Sequence, residues 1–124
     1  MPLVVFNGTV MRGESAHGNL DGASFVEEVR TAPVYRLYSI GDRYPAMVRD
    51  DAHGASIAAE LYEVPDPVWP RIRDSEPQGL YRGPVELDDG RQVEGMLGEP
   101  DLVAGPEAVE ITVYGGWHEY LALR

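Results

Sequence analysis

The sequence predicts a single small α+β domain over residues 1–124, with a mixed or antiparallel β-sheet or barrel and short flanking helices. Three observations favour this class. The chain has 124 residues, the size of one domain with its own hydrophobic core. Its 14 glycines and 10 prolines interrupt the pattern too often for long helices. The predicted strands also follow one another along the chain more often than they alternate with helices.

The first half of the chain predicts three strands and one helix. An apolar run at residues 3–6 ends in a glycine-bearing loop and indicates a buried strand. Asp21 is a good N-cap for a helix over residues 21–30, where the apolar residues have roughly helical spacing. Residues 34–40 alternate with a period of two, which is typical of a strand, and residues 44–48 predict a short irregular strand.

A further strand and a short helix are expected next along the chain. Residues 56–64 predict the strand, which ends at two prolines. The helix is expected over residues 66–72, with Asp66 as its cap and Pro67 at its first position.

The clearest supersecondary signal is a β-hairpin near the end of the chain. Residues 81–87 and 92–97 carry alternating apolar side chains, and an Asp-Asp-Gly turn separates the two runs. The whole chain therefore predicts about six strands and two or three short helices. Trp117 follows two glycines and is expected to anchor the C-terminal segment to the core.

Charge and composition exclude several function classes. Twenty-one acidic residues face ten basic ones, for a net charge of −11, and every basic residue is an arginine. Such a chain would be repelled by nucleic acid and by anionic membranes, so neither is expected as a partner. The lack of lysine excludes a Schiff base and a Walker-type phosphate loop. The lack of cysteine excludes disulfides and thiolate sites and fits a cytoplasmic protein, and no apolar run is long enough to span a membrane.

Cofactor and metal chemistry have little support in the sequence. His17, His53 and His118 lie in three different turn-rich regions, without the spacing of a metal site. The Gly-x-Ser-x-Gly elbow of hydrolases and the three spaced glycines of a dinucleotide site are both missing. We therefore expect neither a metal nor a cofactor.

Two features could carry chemistry. The segment from Asn7 to Val10 follows the opening strand, and backbone N–H groups left unpaired in such a loop can bind an anion such as a carboxylate. The alternative is an ordinary turn between a strand and a loop. Glu76 lies on an irregular segment and could act as a general base if a cavity desolvates it. The alternative is a solvated surface glutamate.

The order of motifs along the chain resembles the γ-glutamylcyclotransferase-like superfamily. The opening motif is Phe-Asn-Gly-Thr-Val-Met-Arg-Gly, and the Tyr-Pro-Ala step at Tyr44 follows it. A segment with Glu76 and Tyr81 then leads into the hairpin. Within that superfamily, residues 80–95 and 110–117 resemble the C-terminal domain of allophanate hydrolase.

The resemblance implies a small mixed barrel with flanking helices and a cavity at one end. By that analogy, the cavity holds the substrate carboxylate on backbone amides, and Glu76 is the catalytic acid/base. It helps the substrate α-amine attack its own γ-amide carbonyl, which releases 5-oxoproline and a free amine. The substrate-binding residues implied by the match are Asn7, Gly8, Thr9, Val10, Tyr44 and Tyr81. Asn7 stands where the superfamily usually has tyrosine.

The sequence therefore leaves two functions open. The first is an amide-cleaving, 5-oxoproline-forming enzyme of the transferase or lyase type, or a related amide- or carbamoyl-processing enzyme, that acts on a small molecule with a carboxylate. The second is a noncatalytic module that binds a small acid or assembles with another protein. We expect the domain to stand alone, and without lysine it cannot carry the Ser-Ser-Lys chemistry of the amidase domain. A second copy of the chain or a separate amidase is the expected protein partner.

Overall fold

The computed structural model describes residues 2–123, which form eight strands in two sheets and three short helices. The α+β class is therefore confirmed. The strands are β1 (Leu3–Phe6), β2 (Ser24–Arg30), β3 (Tyr35–Ile40), β4 (Tyr44–Arg49), β5 (Ala58–Glu63), β6 (Leu80–Glu86), β7 (Gln92–Gly98) and β8 (Ala108–Glu110). The helices are α1 (Trp69–Ser75), α2 (Pro100–Val103) and α3 (Trp117–Ala122). Within residues 2–123, the helices are all too short or too polar to cross a membrane.

The two sheets differ in size and strand direction. The larger has the order β2-β5-β1-β7-β6, in which β1 is antiparallel to β5 and parallel to β7. The smaller has the antiparallel order β4-β3-β8. The expected barrel is not closed within the described part of the chain, because β2 and β6 form the edges of the larger sheet. Pro84 lies in β6 and has no N–H to give to a further strand, as suits an edge.

A shared core joins the two sheets. Tyr35 of β3 is fully buried, and its hydroxyl oxygen accepts a hydrogen bond from the backbone N–H of Glu86 in β6 at 2.9 Å. Trp117 is 2% exposed, which confirms that it anchors the C-terminal helix to the core. The β6–β7 hairpin is confirmed as well, with Leu80 to Glu86 paired against Gly98 to Gln92.

The helix predicted over residues 21–30 is wrong, because residues 24–30 form strand β2. This strand pairs with β5 and contains a β-bulge between Phe25 and Glu27. A bulge breaks the two-residue alternation of a strand, which explains why the apolar spacing resembled that of a helix. Only Val29 of this edge strand is partly buried, and Phe25 and Val26 are about 40% exposed.

Two smaller predictions also need correction. The short helix begins at Trp69, and Asp66 and Pro67 lie in the turn before it, where the N–H of Trp69 donates to the carbonyl of Asp66. The expected count of six strands omitted β2 and β8. Strand β8 has only three residues and obtains its pairing from β3, so its local sequence carries little signal.

A buried carboxylate fixes the loop that follows β1. Glu60 of β5 is 4% exposed and accepts hydrogen bonds from the backbone N–H of Arg12 at 2.9 Å and from its Nε at 3.0 Å. The hydroxyl of Tyr62 donates to the same carboxylate at 3.0 Å. Burial opposes ionisation of Glu60, yet these donors hold the pKa of its carboxyl below the usual value. The loop is thus tied to the larger sheet through both the backbone and the side chain of Arg12.

Strand β4 lies against the ends of β1 and β7 at distances that only glycine permits. A Cβ added at Gly8, just after β1, would lie 2.8 Å from the ring carbons of Pro45. A Cβ added at Gly98, the last residue of β7, would lie 2.9 Å from the Cβ of Ala46. Both glycines are required here because two backbones come close together, since neither has a left-handed φ.

We expect Gly98→Ala to lower the free energy of unfolding by about 1–3 kcal/mol, because the new methyl group overpacks the contact with Ala46. Ala46→Gly removes the opposing Cβ, so the double variant should recover most of the loss attributed to this contact. Urea denaturation of the two single variants and the double variant measures this coupling. Strictly additive losses would contradict the proposed contact.

We expect Glu60→Gln to lower the free energy of unfolding by about 1–3 kcal/mol near pH 7, because it removes one partner of a largely buried ion pair. The folded-state pKa of Glu60 lies below its unfolded value of 4.5, so the charge contributes stability above that pH and loses it as the pH falls. The cost of the variant should therefore shrink as the pH is lowered toward about 4.

Urea denaturation at both pH values measures the change. Glu63→Gln is the control, because Glu63 lies in the same strand and forms no ion pair with any described residue. A cost that is equal at the two pH values would contradict the role assigned to the Glu60 charge.

Candidate functional site

One small cleft collects most of the residues that the sequence singled out. It lies where the loop after β1, the start of β4 and the segment after α1 meet. Its walls include Asn7, Gly8, Thr9, Val10, Tyr44 and Glu76. Its apolar lining comes from Phe6, Pro45, Leu80 and Met96. Six of the seven predicted site residues are thus brought together from distant parts of the chain.

The space inside this cleft is small. Its cavity volume is about 20 Å³, which is enough for a single water molecule. A substrate group larger than that needs the lining side chains to move. The partly exposed lining residues are Thr9, Tyr44, Glu76 and Leu80.

The loop from Gly8 to Val10 is fixed through its carbonyl groups. The carbonyl of Gly8 accepts from the N–H of Met11 at 3.0 Å, and that of Thr9 accepts from the N–H of Ala16 at 2.9 Å. The Nδ1 of His17 lies 2.9 Å from the carbonyl of Val10, so this ring nitrogen is the donor. The N–H groups of Gly8, Thr9 and Val10 donate to no acceptor within residues 2–123. Three consecutive donors therefore remain available at the cleft.

Glu76 supplies the ionisable group of the cleft. It is the C-cap of α1, and its backbone N–H donates to the carbonyl of Arg73 at 3.3 Å. Its carboxyl group has no hydrogen bond or ion pair with any residue from 2 to 123. Burial raises the pKa of Glu76 to about 7. A carboxyl group with that pKa can both give and take a proton near neutral pH.

The remaining predicted residues have different surroundings. Asn7 is 8% exposed, and its Nδ2 donates to the Sδ of Met47 at 3.2 Å. Tyr44 lines the cleft at the start of β4. Tyr81 does not line it; its side chain lies on β6 and is 42% exposed.

Two residues that support this site were not predicted from the sequence. His17 holds the carbonyl of Val10, and Met47 contacts the Asn7 amide. Neither residue type has a recognised spacing relative to its partner, and a methionine in a strand predicts core packing. No group of three or more His, Cys, Asp or Glu side chains among the described residues is arranged to hold a metal ion.

A larger groove on the protein is a weaker candidate. It has a volume of about 440 Å³, and its charged lining includes Glu28, Glu60, Asp89, Arg91 and His118. These side chains already form ion pairs, such as that between Arg91 and Asp89 at 2.8 Å. In contrast to the small cleft, this groove is lined by none of the seven predicted site residues.

Comparison with known proteins identifies the family. The model of the allophanate hydrolase C-terminal domain matches residues 1–122. The chain is 39% identical to c4763, described as a uropathogenic Escherichia coli-specific protein. The alignment covers 98% of this chain and 95% of that one, with a TM-score of 0.92.

Two further similarities show how widely this fold is used. The chain is 25% identical over 123 residues to urea amidolyase of Saccharomyces cerevisiae, covering 94% of this chain but only 7% of that protein. A mouse AIG2-like protein is 21% identical, with a TM-score of 0.65 and coverage of 86% and 85%, and shares the fold alone. The expected γ-glutamylcyclotransferase-like fold is thus confirmed, and the chain belongs to the family of allophanate hydrolase C-terminal domains.

Proposed function

We propose that this chain is an enzyme that cleaves an amide or carbamoyl C–N bond in a small molecule with a carboxylate. The observation that carries the proposal is the placement of an unpaired Glu76 carboxyl group in the same cleft as three free backbone N–H groups. The N–H groups suit the substrate carboxylate. Glu76 suits proton transfer at the reacting bond, because burial raises its pKa to about 7.

The proton path is simple. The ionised Glu76 takes a proton from the attacking nucleophile and then gives it to the departing nitrogen, so the carboxylate is restored. In a cyclotransferase reaction the nucleophile is the α-amine of the substrate, and the products are 5-oxoproline and a free amine. For a smaller amide or carbamoyl substrate the nucleophile is water: Glu76 takes its proton and gives it to the departing nitrogen, and the products are a carboxylic or carbamic acid and the free amine or ammonia.

The size of the cleft and the family support a small substrate. A cavity of about 20 Å³ accommodates a compact group far better than a whole γ-glutamyl amide, which would have to displace several lining side chains. Membership of the allophanate hydrolase C-terminal domain family points in the same direction, since allophanate is itself a small carboxylated ureido compound. Within the proposed class, we therefore favour carbamoyl and short amide substrates over γ-glutamyl amides.

A noncatalytic binding or assembly module is the second candidate. Three apolar side chains near the C-terminal end are strongly exposed: Val109 at 61%, Val113 at 88% and Leu123 at 72%. Exposed apolar groups of this kind are used in protein contacts. In S. cerevisiae urea amidolyase, the similar region is a small part of a much larger protein, which fits an assembly role.

We expect Glu76→Gln to lower the turnover of a responsive substrate by about 10²- to 10⁴-fold, because it removes the acid/base group and keeps its shape. The assay measures ammonia release from small carboxylated amides and carbamoyl compounds, and 5-oxoproline release from γ-glutamyl amines. Glu99→Gln is the matched control, because Glu99 is exposed and outside the cleft.

Full activity in Glu76→Gln would contradict the role of Glu76. A folded wild-type protein with no turnover on the whole panel would favour the binding or assembly module, and a search for a protein partner would follow.

Ionisation of the Glu76 carboxyl group should also make the free energy of unfolding depend on pH. The folded-state pKa of Glu76 is about 7 and its unfolded value is 4.5, so the folded protein holds more protons between these values. Glu76 therefore destabilises the fold progressively as the pH rises from about 5 to about 8, and Glu76→Gln should remove that change. We expect the stability difference between variant and wild type to shift by about 1–3 kcal/mol across this range. Urea denaturation at both ends measures it, and a difference independent of pH would show that the carboxyl group is solvated.

A further inference from the structure

Asn7 is a buried amide whose hydrogen-bonding groups are mostly unused by the protein. The side chain is 8% exposed, and its only side-chain hydrogen bond with residues 2–123 is the one from Nδ2 to the Sδ of Met47. A thioether is a weak acceptor, so this bond offsets little of the cost of burying the amide. Buried polar groups are usually fully paired in proteins, and an exception calls for an explanation.

The contact with Met47 determines which way the amide faces. A thioether sulfur accepts hydrogen bonds and has no proton to donate, so the NH₂ group must face it. The Oδ1 atom of Asn7 therefore faces the other way and accepts no hydrogen bond from any described residue. This oxygen is also not sealed inside the protein, because the fully enclosed side-chain atoms of residues 2–123 that lack a hydrogen bond are Arg82 Nε and Trp117 Nε1. Since Asn7 lines the cleft, its Oδ1 is an acceptor open to a ligand.

The cleft therefore combines three kinds of group. Gly8, Thr9 and Val10 contribute N–H donors, Glu76 contributes a carboxyl group, and Asn7 contributes a neutral acceptor. A ligand that pairs with all of them needs a carboxylate for the donors and an N–H for the acceptor. A neutral acceptor suits the N–H of an uncharged amide, which brings no charge that must be desolvated.

We propose that Asn7 is the specificity-determining residue of this cleft and selects, through Oδ1, carboxylate ligands with an unsubstituted carboxamide or ureido NH₂ group. This inference rests on the proposed function and adds the chemistry of the group opposite Asn7. A ligand with a methyl group in that place leaves Oδ1 unpaired and binds more weakly. Met47 is a positioning residue, because it acts only through the orientation of the Asn7 amide.

Oxamate and pyruvate test this inference, because they share a carboxylate and differ only in an NH₂ and a CH₃ group. Binding to the full chain at about pH 7 is followed by NMR from the backbone amide signals of Gly8, Thr9 and Val10. We expect wild type to bind oxamate about 10-fold more tightly than pyruvate, the factor supplied by one ordinary hydrogen bond. Asn7→Leu should lower the affinity for oxamate to that for pyruvate, whereas Asn19→Leu, outside the cleft, should keep the preference.

Met47→Leu provides a second test. It removes the sulfur acceptor but keeps an apolar side chain of nearly the same volume. It should reduce the preference for oxamate several-fold, because the amide can then turn its NH₂ group toward the ligand. If Asn7→Leu does not fold, this variant decides, and an unchanged preference in it overturns the inference. Full preference in a folded Asn7→Leu overturns it as well.

The same titrations separate this inference from the proposed function. If wild type binds both carboxylates equally at the three amides, the proposed selectivity of Asn7 is overturned, but the proposed binding of a carboxylate by the N–H groups of Gly8, Thr9 and Val10 is supported. If neither carboxylate shifts these signals, the anion site itself is wrong and the inference falls with it.

Discussion

The close approach of β4 to the ends of β1 and β7 is the constraint on which the cleft depends. Gly8 and Gly98 allow Pro45 and Ala46 to lie where any Cβ would collide. This contact brings the smaller sheet over the loop after β1, so that Tyr44 and Pro45 face Gly8. A wider separation of the sheets would enlarge the cleft and expose more of the same loop. The tight packing of the two sheets therefore also sets the small size of the cleft.

Partial burial without a partner explains the raised pKa of Glu76. Glu60 is buried and Glu76 is partly buried, yet the pKa of Glu60 is lowered and that of Glu76 is raised. Arg12 and Tyr62 pair with Glu60, so it serves as a fixed charge that holds the loop. No described residue pairs with Glu76, so it keeps a proton that it can exchange. The surroundings of each side chain thus give Glu60 a structural role and leave Glu76 able to exchange a proton.

The sequence predicts the parts of this protein that local rules control. The β6–β7 hairpin follows from alternation around an Asp-Asp-Gly turn, because both signals are local. Strand β2 escaped prediction because its bulge at Phe25 and Glu27 hides the alternation. Gly8 and Glu76 are far apart in sequence, and only the family order of motifs suggested that they meet. The contact between Asn7 and Met47 depends on the packing of the two sheets, which no local pattern encodes.

Asn7 and Glu76 both oppose the stability of the fold. One is a buried amide with a weak partner, and the other is a partly buried carboxyl group with none among residues 2–123. Natural proteins depart from good packing and pairing mainly where function requires it. Two such departures in a cavity of about 20 Å³ are hard to attribute to chance packing, because apolar residues could fill that space at no electrostatic cost. The proposed function accounts for both departures, because a ligand in this cleft would supply the partners that the two groups lack among the described residues.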